Sequence, residues 1–362
     1  WIRAWNRASG PCQILSLPLP RGRRRPSALR RAVAASASVS ASASVSLAHS
    51  PHALGSYTRE GDFVITCGKD SNVNLWWSDN GERAGTFNGH NGSVWTTDTN
   101  TDSSVLMTGA GDSTVRLWDM SNGDELFKFQ FHEPCRAVRF NVGDTMAAVS
   151  TDPFMNSVSA IRLLKIADDV RDQTEEVVAS FTGPRGRISR VMWNDLNRQL
   201  ISTSEDGCLR RWDVETGKVL QEVQLHKGYI GDMQMHVDGT HFITASVDHT
   251  AKIVDTQTFE VIKTFTSQVP INSAALSPTH DYVLIGGGQD ASQVTTTSGA
   301  AGYFEARFFH AIYGQEIAQV RGHFSPINGC AFSPSGTGFV TGGEEGYVRL
   351  SELDADYYTA IA

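Results

Sequence analysis

Four side chains in the first third of the chain have the chemical types of a hydrolytic active site. His90, Thr108, Asp112 and Trp118 provide an imidazole, a hydroxyl, a carboxylate and an indole N–H. In the right geometry, the first three could act as general base, nucleophile and orienting acid. The same residues could equally be structural, because an indole N–H and an imidazole buried between strands both need hydrogen-bond partners. A catalytic set would occur once, whereas a structural set would recur.

Parts of this set do recur along the chain. A hydroxyl residue stands four positions before an acidic residue at Thr66, Thr108, Ser202, Thr244 and Thr341. Gly-His pairs occur at Gly89-His90 and Gly322-His323. Repetition favours the structural interpretation. We therefore predict that His90, Thr108, Asp112 and Trp118 form a hydrogen-bonded tetrad and that the chain is not an enzyme.

Other signatures of catalysis or metal binding are missing from the sequence. It contains no G-x-x-x-x-G-K-[ST], H-E-x-x-H or G-x-S-x-G motif, and no Lys follows the glycine run at Gly286–Gly288. The number of cysteines is odd and none forms a C-x-x-C pair, which argues against a disulfide framework and a zinc site. The cysteines are Cys12, Cys67, Cys135, Cys208 and Cys330. We expect reduced cysteines, no cofactor and no metal.

A longer repeat must position these residues. In each unit an acidic residue is followed by an apolar-x-apolar run that ends at a Trp-like position, as from Asp112 to Trp118. The Trp-like positions are Trp76, Trp118, Leu164, Trp212, Val254, Phe309 and Ser351, with separations of 42, 46, 48, 42, 55 and 42 residues. Such a period is typical of four-stranded propeller blades. The sequence thus predicts an all-β, seven-bladed WD-repeat β-propeller over residues 56–362, with almost no helix.

The first 55 residues differ from the rest of the chain. Residues 21–31 contain six arginines, and residues 32–48 are almost wholly Ala, Ser and Val. Such a composition buries too little apolar surface to offset the entropy of ordering, so we predict a disordered arm over residues 1–55. It could be an organelle transit peptide or a basic arm that touches RNA. Because the chain opens with Trp1, we favour a third interpretation, a start that is not native.

Charge separates the same two regions. Residues 1–59 carry nine arginines and no acidic residue, whereas the whole chain has a net charge of −8, so residues 60–362 carry about −17. An acidic body repels phosphate backbones, so we expect no direct nucleic-acid binding by the propeller, and attraction to basic protein segments instead. No apolar stretch is long enough for a membrane-spanning helix, and we expect a cytoplasmic protein with no membrane partner.

Several stretches resemble one particular WD-repeat family. They are INSAALSP at 271–278, VTTTS at 294–298, FEARFFH at 304–310, GHFSPIN at 322–328 and GGEEGYVRL at 342–350. Together they resemble subunit I of eukaryotic translation initiation factor 3, over about residues 56–358. The resemblance implies a non-enzymatic cytoplasmic scaffold that docks the C-terminal segment of the B subunit and the N-terminal part of the G subunit. Contact with the small ribosomal subunit would be indirect, through the complex. The alternative is an adaptor associated with a receptor or a kinase.

The resemblance also suggests where a partner docks, and it fails at one place. In the family, a B-subunit helix lies around blades 5 and 6, against acidic residues that correspond to Asp232 and Asp248 in this sequence. Asp232 has no evident structural duty, and the Val254 site leaves the tetrad around Asp248 incomplete, so we predict that both contact the partner. Before residue 56, Ser44–Gly55 replaces the family's first strand and its Gly-His pair. We therefore expect an exposed outer edge on blade 7.

Overall fold

A computed structural model describes residues 41–48, 54–155, 157–183, 186–288 and 304–353. Within these ranges it contains 28 strands in seven four-stranded sheets, and all strand pairs within the sheets are antiparallel. The predicted all-β, seven-bladed propeller is confirmed. Within the described ranges the only helical element is a 3-10 turn at Val170–Asp172, and no helix is long and apolar enough to span a membrane.

Blades 1 to 3 take up the first half of the ring. Blade 1 consists of β2 to β5, with bounds Leu54–Tyr57, Phe63–Cys67, Val73–Trp77 and Arg83–Phe87. Blade 2 consists of β6 to β9, with bounds Val94–Thr99, Val105–Ala110, Thr114–Asp119 and Glu125–Gln130. Blade 3 consists of β10 to β13, with bounds Cys135–Phe140, Met146–Thr151, Ala160–Lys165 and Val177–Thr182.

Blades 4 to 7 complete it. Blade 4 consists of β14 to β17, with bounds Ile188–Asn194, Gln199–Ser204, Cys208–Asp213 and Val219–Gln224. Blade 5 consists of β18 to β21, with bounds Ile230–Met235, His241–Ser246, Thr250–Asp255 and Val261–Thr266. Blade 6 consists of β22 to β25, with bounds Ile271–Leu276, Tyr282–Gly287, Ala306–His310 and Glu316–Val320. Blade 7 consists of β26 to β28 and β1, with bounds Ile327–Phe332, Gly338–Gly343, Tyr347–Leu353 and Ala41–Ala48.

Every Trp-like position of the sequence repeat lies in the third strand of its blade. In blades 1 to 6 the register between the third and fourth strands shifts at this residue, for example between Leu117 and Trp118 in blade 2. Such a bulge turns the strand locally and changes the direction of its side chains. The repeat therefore marks a feature of the backbone as well as an apolar position.

Adjacent blades pack face to face, and their apolar residues form the core. Between blades 7 and 1, Val64 and Trp76 pack against Val340, Val348 and Leu350. The triple-glycine stretch belongs to the same packing scheme, because a Cβ on Gly287 would lie 2.1 Å from the carbonyl oxygen of Pro270. These glycines therefore allow a close approach of backbones at the end of β23, and no phosphate cradle is needed to explain them.

The structure corrects the expected open edge of blade 7. Strand β1 pairs antiparallel with β28, from Ser44 opposite Ser351 to Ala48 opposite Tyr347. The Ala- and Ser-rich stretch forms a strand because it can use the backbone hydrogen bonds that β28 offers, and these require no particular side chain. The predicted disordered arm over residues 1–55 therefore ends too late, since 41–48 and 54–55 lie in strands. The rest of the arm lies outside the described residues.

Candidate functional site

The four residues singled out in blade 2 come together between its inner strands. The His90 Nδ1 atom lies 3.0 Å from Asp112 Oδ2, and His90 Nε2 lies 2.7 Å from Thr108 Oγ1. The Trp118 Nε1–H donates to the same hydroxyl oxygen at 2.9 Å. One hydroxyl therefore joins the indole to the imidazole, and the carboxylate ends the chain of hydrogen bonds.

The direction of each hydrogen bond follows from the donors present. Asp112 is an acceptor, so His90 Nδ1 carries the proton of that bond, and Nε2 accepts from the Thr108 hydroxyl. Burial raises the pKa of the Asp112 carboxyl, but hydrogen bonds from His90, Thr114 and the Asn91 N–H together hold it well below its usual range. The chain runs from indole to hydroxyl to imidazole to carboxylate, and every buried donor in it is used.

This geometry provides no nucleophile. The Thr108 side chain is fully buried, its oxygen accepts from Trp118, and its proton is directed at His90. A catalytic hydroxyl must instead reach a substrate carbonyl beside donors that stabilise the oxyanion. The blade 2 set is thus a hydrogen-bonded link between the second and third strands and the loop that precedes the blade.

The same arrangement recurs in blade 5, where sequence reasoning missed its histidine. His226 Nδ1 lies 3.0 Å from Asp248 Oδ2, and His226 Nε2 lies 2.9 Å from Thr244 Oγ1. His226 follows Leu225 rather than Gly, so a search for Gly-His pairs passes over it. The spacing would have found it, because the histidine precedes its acid by 22 residues and its hydroxyl by 18 residues in both blades.

Blade 7 has the same spacing with a glutamate in place of the aspartate. His323 Nδ1 lies 2.5 Å from Glu345 Oε1, and His323 Nε2 lies 2.8 Å from Thr341 Oγ1. Burial lowers the pKa of His323, and it also lowers that of His226 despite the neighbouring Asp248. Both imidazole rings are therefore neutral near pH 7. This is the state in which Nε2 can accept from the hydroxyl while Nδ1 donates to the carboxylate.

In blade 4 an arginine bonds to the turn acid. The Trp212 indole donates to Ser202 at 2.8 Å, as Trp76 does to Thr66 in blade 1. The Arg210 guanidinium, however, reaches Asp206 at 2.7 Å. A hydrogen bond from the indole to a hydroxyl is thus shared by blades 1, 2 and 4, and the group that meets the turn acid varies between blades.

Asp248, one of the two predicted partner contacts, is part of the blade 5 set. Its carboxylate accepts from the Thr250 hydroxyl at 2.6 Å and from the Lys227 N–H besides His226, and these bonds outweigh burial and lower its pKa to about 2. The expectation that Val254 frees Asp248 from structural duty is wrong. His226 bonds to both Asp248 and Thr244 although no indole stands at the Trp-like site.

Asp232, the other predicted contact, lies on the wall of the central channel. It receives a hydrogen bond from Arg190 Nε at 2.9 Å and one from Ser273 Oγ at 2.5 Å, and its side chain is 9% exposed. The expectation that it has no structural role is therefore wrong: it links the inner strands of blades 4, 5 and 6. Contact of Asp232 and Asp248 with a partner stays a prediction.

The central channel has a volume of about 460 Å³ and carries paired charges. Besides the pair of Arg190 and Asp232, Arg139 Nη1 lies 3.2 Å from Asp98 Oδ1, and burial raises the pKa of Asp98. Of the cysteines within the described ranges, all four are free and buried. Burial raises the thiol pKa of Cys67 and Cys330 to about 12 each, so neither supplies a thiolate ligand or nucleophile near pH 7.

Comparison with known proteins identifies the family of the ring. A model of the family described as EIF3I matches residues 53–361. A protein of Bombyx mori named eukaryotic translation initiation factor 3 subunit I is 43% identical over 305 residues, which cover 83% of this chain and 92% of the relative. Proteins of the same name from Nematostella vectensis (42% over 301 residues, 83% and 92%) and Schizosaccharomyces pombe (40% over 305 residues, 83% and 93%) are similar to it.

Proposed function

Because the chain belongs to the family of subunit I of eukaryotic translation initiation factor 3, we propose that it is a non-catalytic subunit of that complex. It docks other subunits during assembly of the pre-initiation complex, recruitment of mRNA and scanning, and it acts in the cytoplasm. The observation that carries this proposal is the family match over residues 53–361, which includes every strand of the seven blades except β1. The hydrogen-bonded sets support it, because they hold buried residues in place and offer no group to a substrate.

We further propose that the ring docks two subunits, the C-terminal segment of the B subunit and the N-terminal part of the G subunit. The net charge of about −17 over residues 60–362 suits basic segments, since complementary charge speeds association and fixes register. The ring contacts the small ribosomal subunit only indirectly, by way of other subunits of the complex. The acidic ring itself does not bind RNA.

Co-purification tests this function directly. The full-length chain is isolated from cells of its source under mild conditions, and bound proteins are identified by mass spectrometry. Recovery of the other initiation factor 3 subunits in constant ratio is the expected result. Recovery of a receptor or kinase complex instead would assign the chain to the alternative class of adaptors.

Blade 5 is the place at which we propose that the B subunit docks, with Asp232 and Asp248 as its acidic contacts. The double change Asp232→Lys and Asp248→Lys should abolish capture of the B-subunit segment in a pull-down. Losing one partner of a desolvated charge pair costs about 2–5 kcal/mol. Since both carboxylates also bond within the chain, binding is measured beside a thermal melt.

A matched control separates loss of a contact from loss of fold. Glu175→Lys with Glu176→Lys makes the same change of charge at exposed positions of blade 3. This control should bind the segment normally. Full binding by the blade 5 variant, or equal loss in both variants, would place the interface elsewhere on the ring.

A further inference from the structure

The turn between β18 and β19 carries three side chains that can bind a metal ion. His236 Nδ1 lies 2.9 Å from Asp238 Oδ1, and His241 Nδ1 lies 3.8 Å from the same oxygen. One ligand atom of each residue lies within 4.8 Å of the others. The two imidazole rings stack with centroids 4.5 Å apart and planes at 16°. Cysteine spacing gives no indication of this cluster, because its ligands are nitrogen and oxygen atoms.

The backbone of the turn holds these side chains on one side. The His236 N–H donates to the His241 carbonyl at 2.9 Å, and the Gly239 N–H donates to the His236 carbonyl at 2.9 Å. Gly239 adopts a φ of 70°, which favours glycine and closes the turn. The Thr240 N–H also donates to Asp238 Oδ1 at 2.9 Å. The three potential ligands are therefore fixed by local bonds before any ion binds.

The separations of the two imidazole nitrogens from the Asp238 carboxylate are close to those around a tetrahedral ion. Zinc bonds to histidine nitrogen and carboxylate oxygen are about 2.0–2.1 Å long, so neighbouring ligand atoms in a tetrahedron lie roughly 3.3–3.4 Å apart. The separations of 2.9 Å and 3.8 Å lie on either side of that value. Small rotations of the two imidazole rings would lengthen the 2.9 Å separation and shorten the 3.8 Å separation.

The surroundings favour a cation and leave one coordination position open. Asp255 stands opposite His241 in the neighbouring strand, and both Asp255 and Asp281 act electrostatically on that imidazole, as Asp238 does. The side chains of His236, Asp238 and His241 are 20%, 48% and 26% exposed. A water molecule could thus reach the fourth position of the ion.

We propose that His236, Asp238 and His241 form a binding site for one Zn²⁺ ion or a similar transition-metal ion. Two imidazoles select this class over Mg²⁺ and Ca²⁺, which prefer oxygen ligands throughout. The ion joins both ends of the β18–β19 turn. The site stands at the opposite end of β18 from the set around His226 and Asp248, so it is independent of the docking function proposed above.

Metal titration of the full chain, purified without a histidine tag and treated with EDTA, tests this site. Calorimetry with Zn²⁺ should show one ion per chain, and Co²⁺ should give the visible absorption of a tetrahedral complex. His236→Gln and His241→Gln should each weaken Zn²⁺ binding at least about tenfold. His132→Gln, which changes an exposed histidine of the loop before blade 3, should leave binding unchanged.

A second variant separates the ligand from the turn. Asp238→Asn keeps an oxygen that can accept from Thr240 but removes the charge, so the melting temperature should hold while Zn²⁺ binding weakens. Absence of saturable binding would overturn the proposal. So would binding that none of the His236, Asp238 and His241 variants weakens, because that result would mean an adventitious ion on another surface group.

Discussion

The Thr108 hydroxyl shows how one atom can serve two buried partners. Its oxygen accepts from Trp118 and its proton is donated to His90, so no polar atom of the set is left without a bond. Each donor of the set faces one acceptor, so the indole, the hydroxyl and the imidazole are all paired within the blade.

Removal of the indole should destabilise the ring strongly. Trp118 is 1% exposed, so Trp118→Ala should lower the free energy of unfolding by roughly 3–5 kcal/mol through the cavity that it leaves. Trp77 serves as the control because it is 42% exposed, and Trp77→Ala should destabilise the chain much less. Chemical denaturation of both variants provides the measurement. Equal destabilisation would contradict a core role for Trp118.

Stability should fall as the pH drops below neutrality. The pKa values of His226 and His323 in the folded chain lie below 6.5, chiefly because both rings are buried, so the unfolded chain binds more protons. Their contribution is fully present above pH 6.5 and is lost as the pH falls through that value towards the folded pKa. The pKa of Asp248 is about 2 in the folded chain and 3.8 in the unfolded chain, so this carboxyl lowers the stability only as the pH falls from 3.8 to about 2.

Melting temperatures measured between about pH 7.5 and about pH 5 should therefore decrease in the native chain. His226→Gln should reduce the slope, because one of the titrating rings is gone. His132→Gln should retain it, because that side chain is exposed. A slope that is the same in all three proteins would show that the buried imidazole of His226 does not cause it.

Sequence alone predicted the blade 2 set because all four of its residue types are present at regular spacing. It missed His226, whose preceding residue is Leu225, and it misjudged Asp232. Two partners of Asp232, Arg190 and Ser273, are 42 and 41 positions away on neighbouring blades. A contact between blades is set by ring geometry, and one blade's sequence does not reveal it.

At the scale of elements, the period of the repeat located the third strand of every blade but did not locate β1, the strand that closes the ring. All seven Trp-like positions lie in third strands, and all of them except Ser351 are buried apolar residues, which leave a strong pattern in the sequence. Strand β1 was missed because all residues of Ala41–Ala48 except Val45 and Leu47 are Ala or Ser, a composition typical of disorder, and because the strand lies before the family match that begins at residue 53. Its position follows from the free edge of β28, which any extended backbone can pair.

Deletion should locate the boundary of the segment that matters for stability. Removal of residues 1–48 takes away β1 and leaves the edge of β28 unpaired, so the melting temperature should fall and the chain should aggregate more readily. Each lost backbone hydrogen bond costs about 0.5–1.5 kcal/mol. Removal of residues 1–40 alone keeps β1 and should change neither stability nor partner binding. Identical melts of the two truncated chains would mean that β1 contributes nothing.

At the scale of the whole molecule, the net charge of the ring and the closure of the ring between blades 7 and 1 affect different properties. Closure is local: β2 packs against β26 and β27, and apolar residues of blades 1 and 7 meet in one cluster. Charge is spread over the ring, with a net charge of about −17 over residues 60–362. We therefore expect closure to govern stability and charge to govern how fast partners associate.

The last prediction concerns that rate. An acidic ring attracts a basic partner segment over a distance set by the Debye length, which is about 30 Å at 0.01 M salt and about 8 Å at 0.15 M. Association of the B-subunit segment, measured by stopped-flow fluorescence, should therefore slow markedly as salt is raised, while the dissociation rate changes less. A scrambled segment of the same composition controls for non-specific attraction, because it should show the early encounter without stable binding. If the association rate of the native segment did not depend on salt, the charge of the ring would have no part in recognition, and docking would rest on apolar contacts alone.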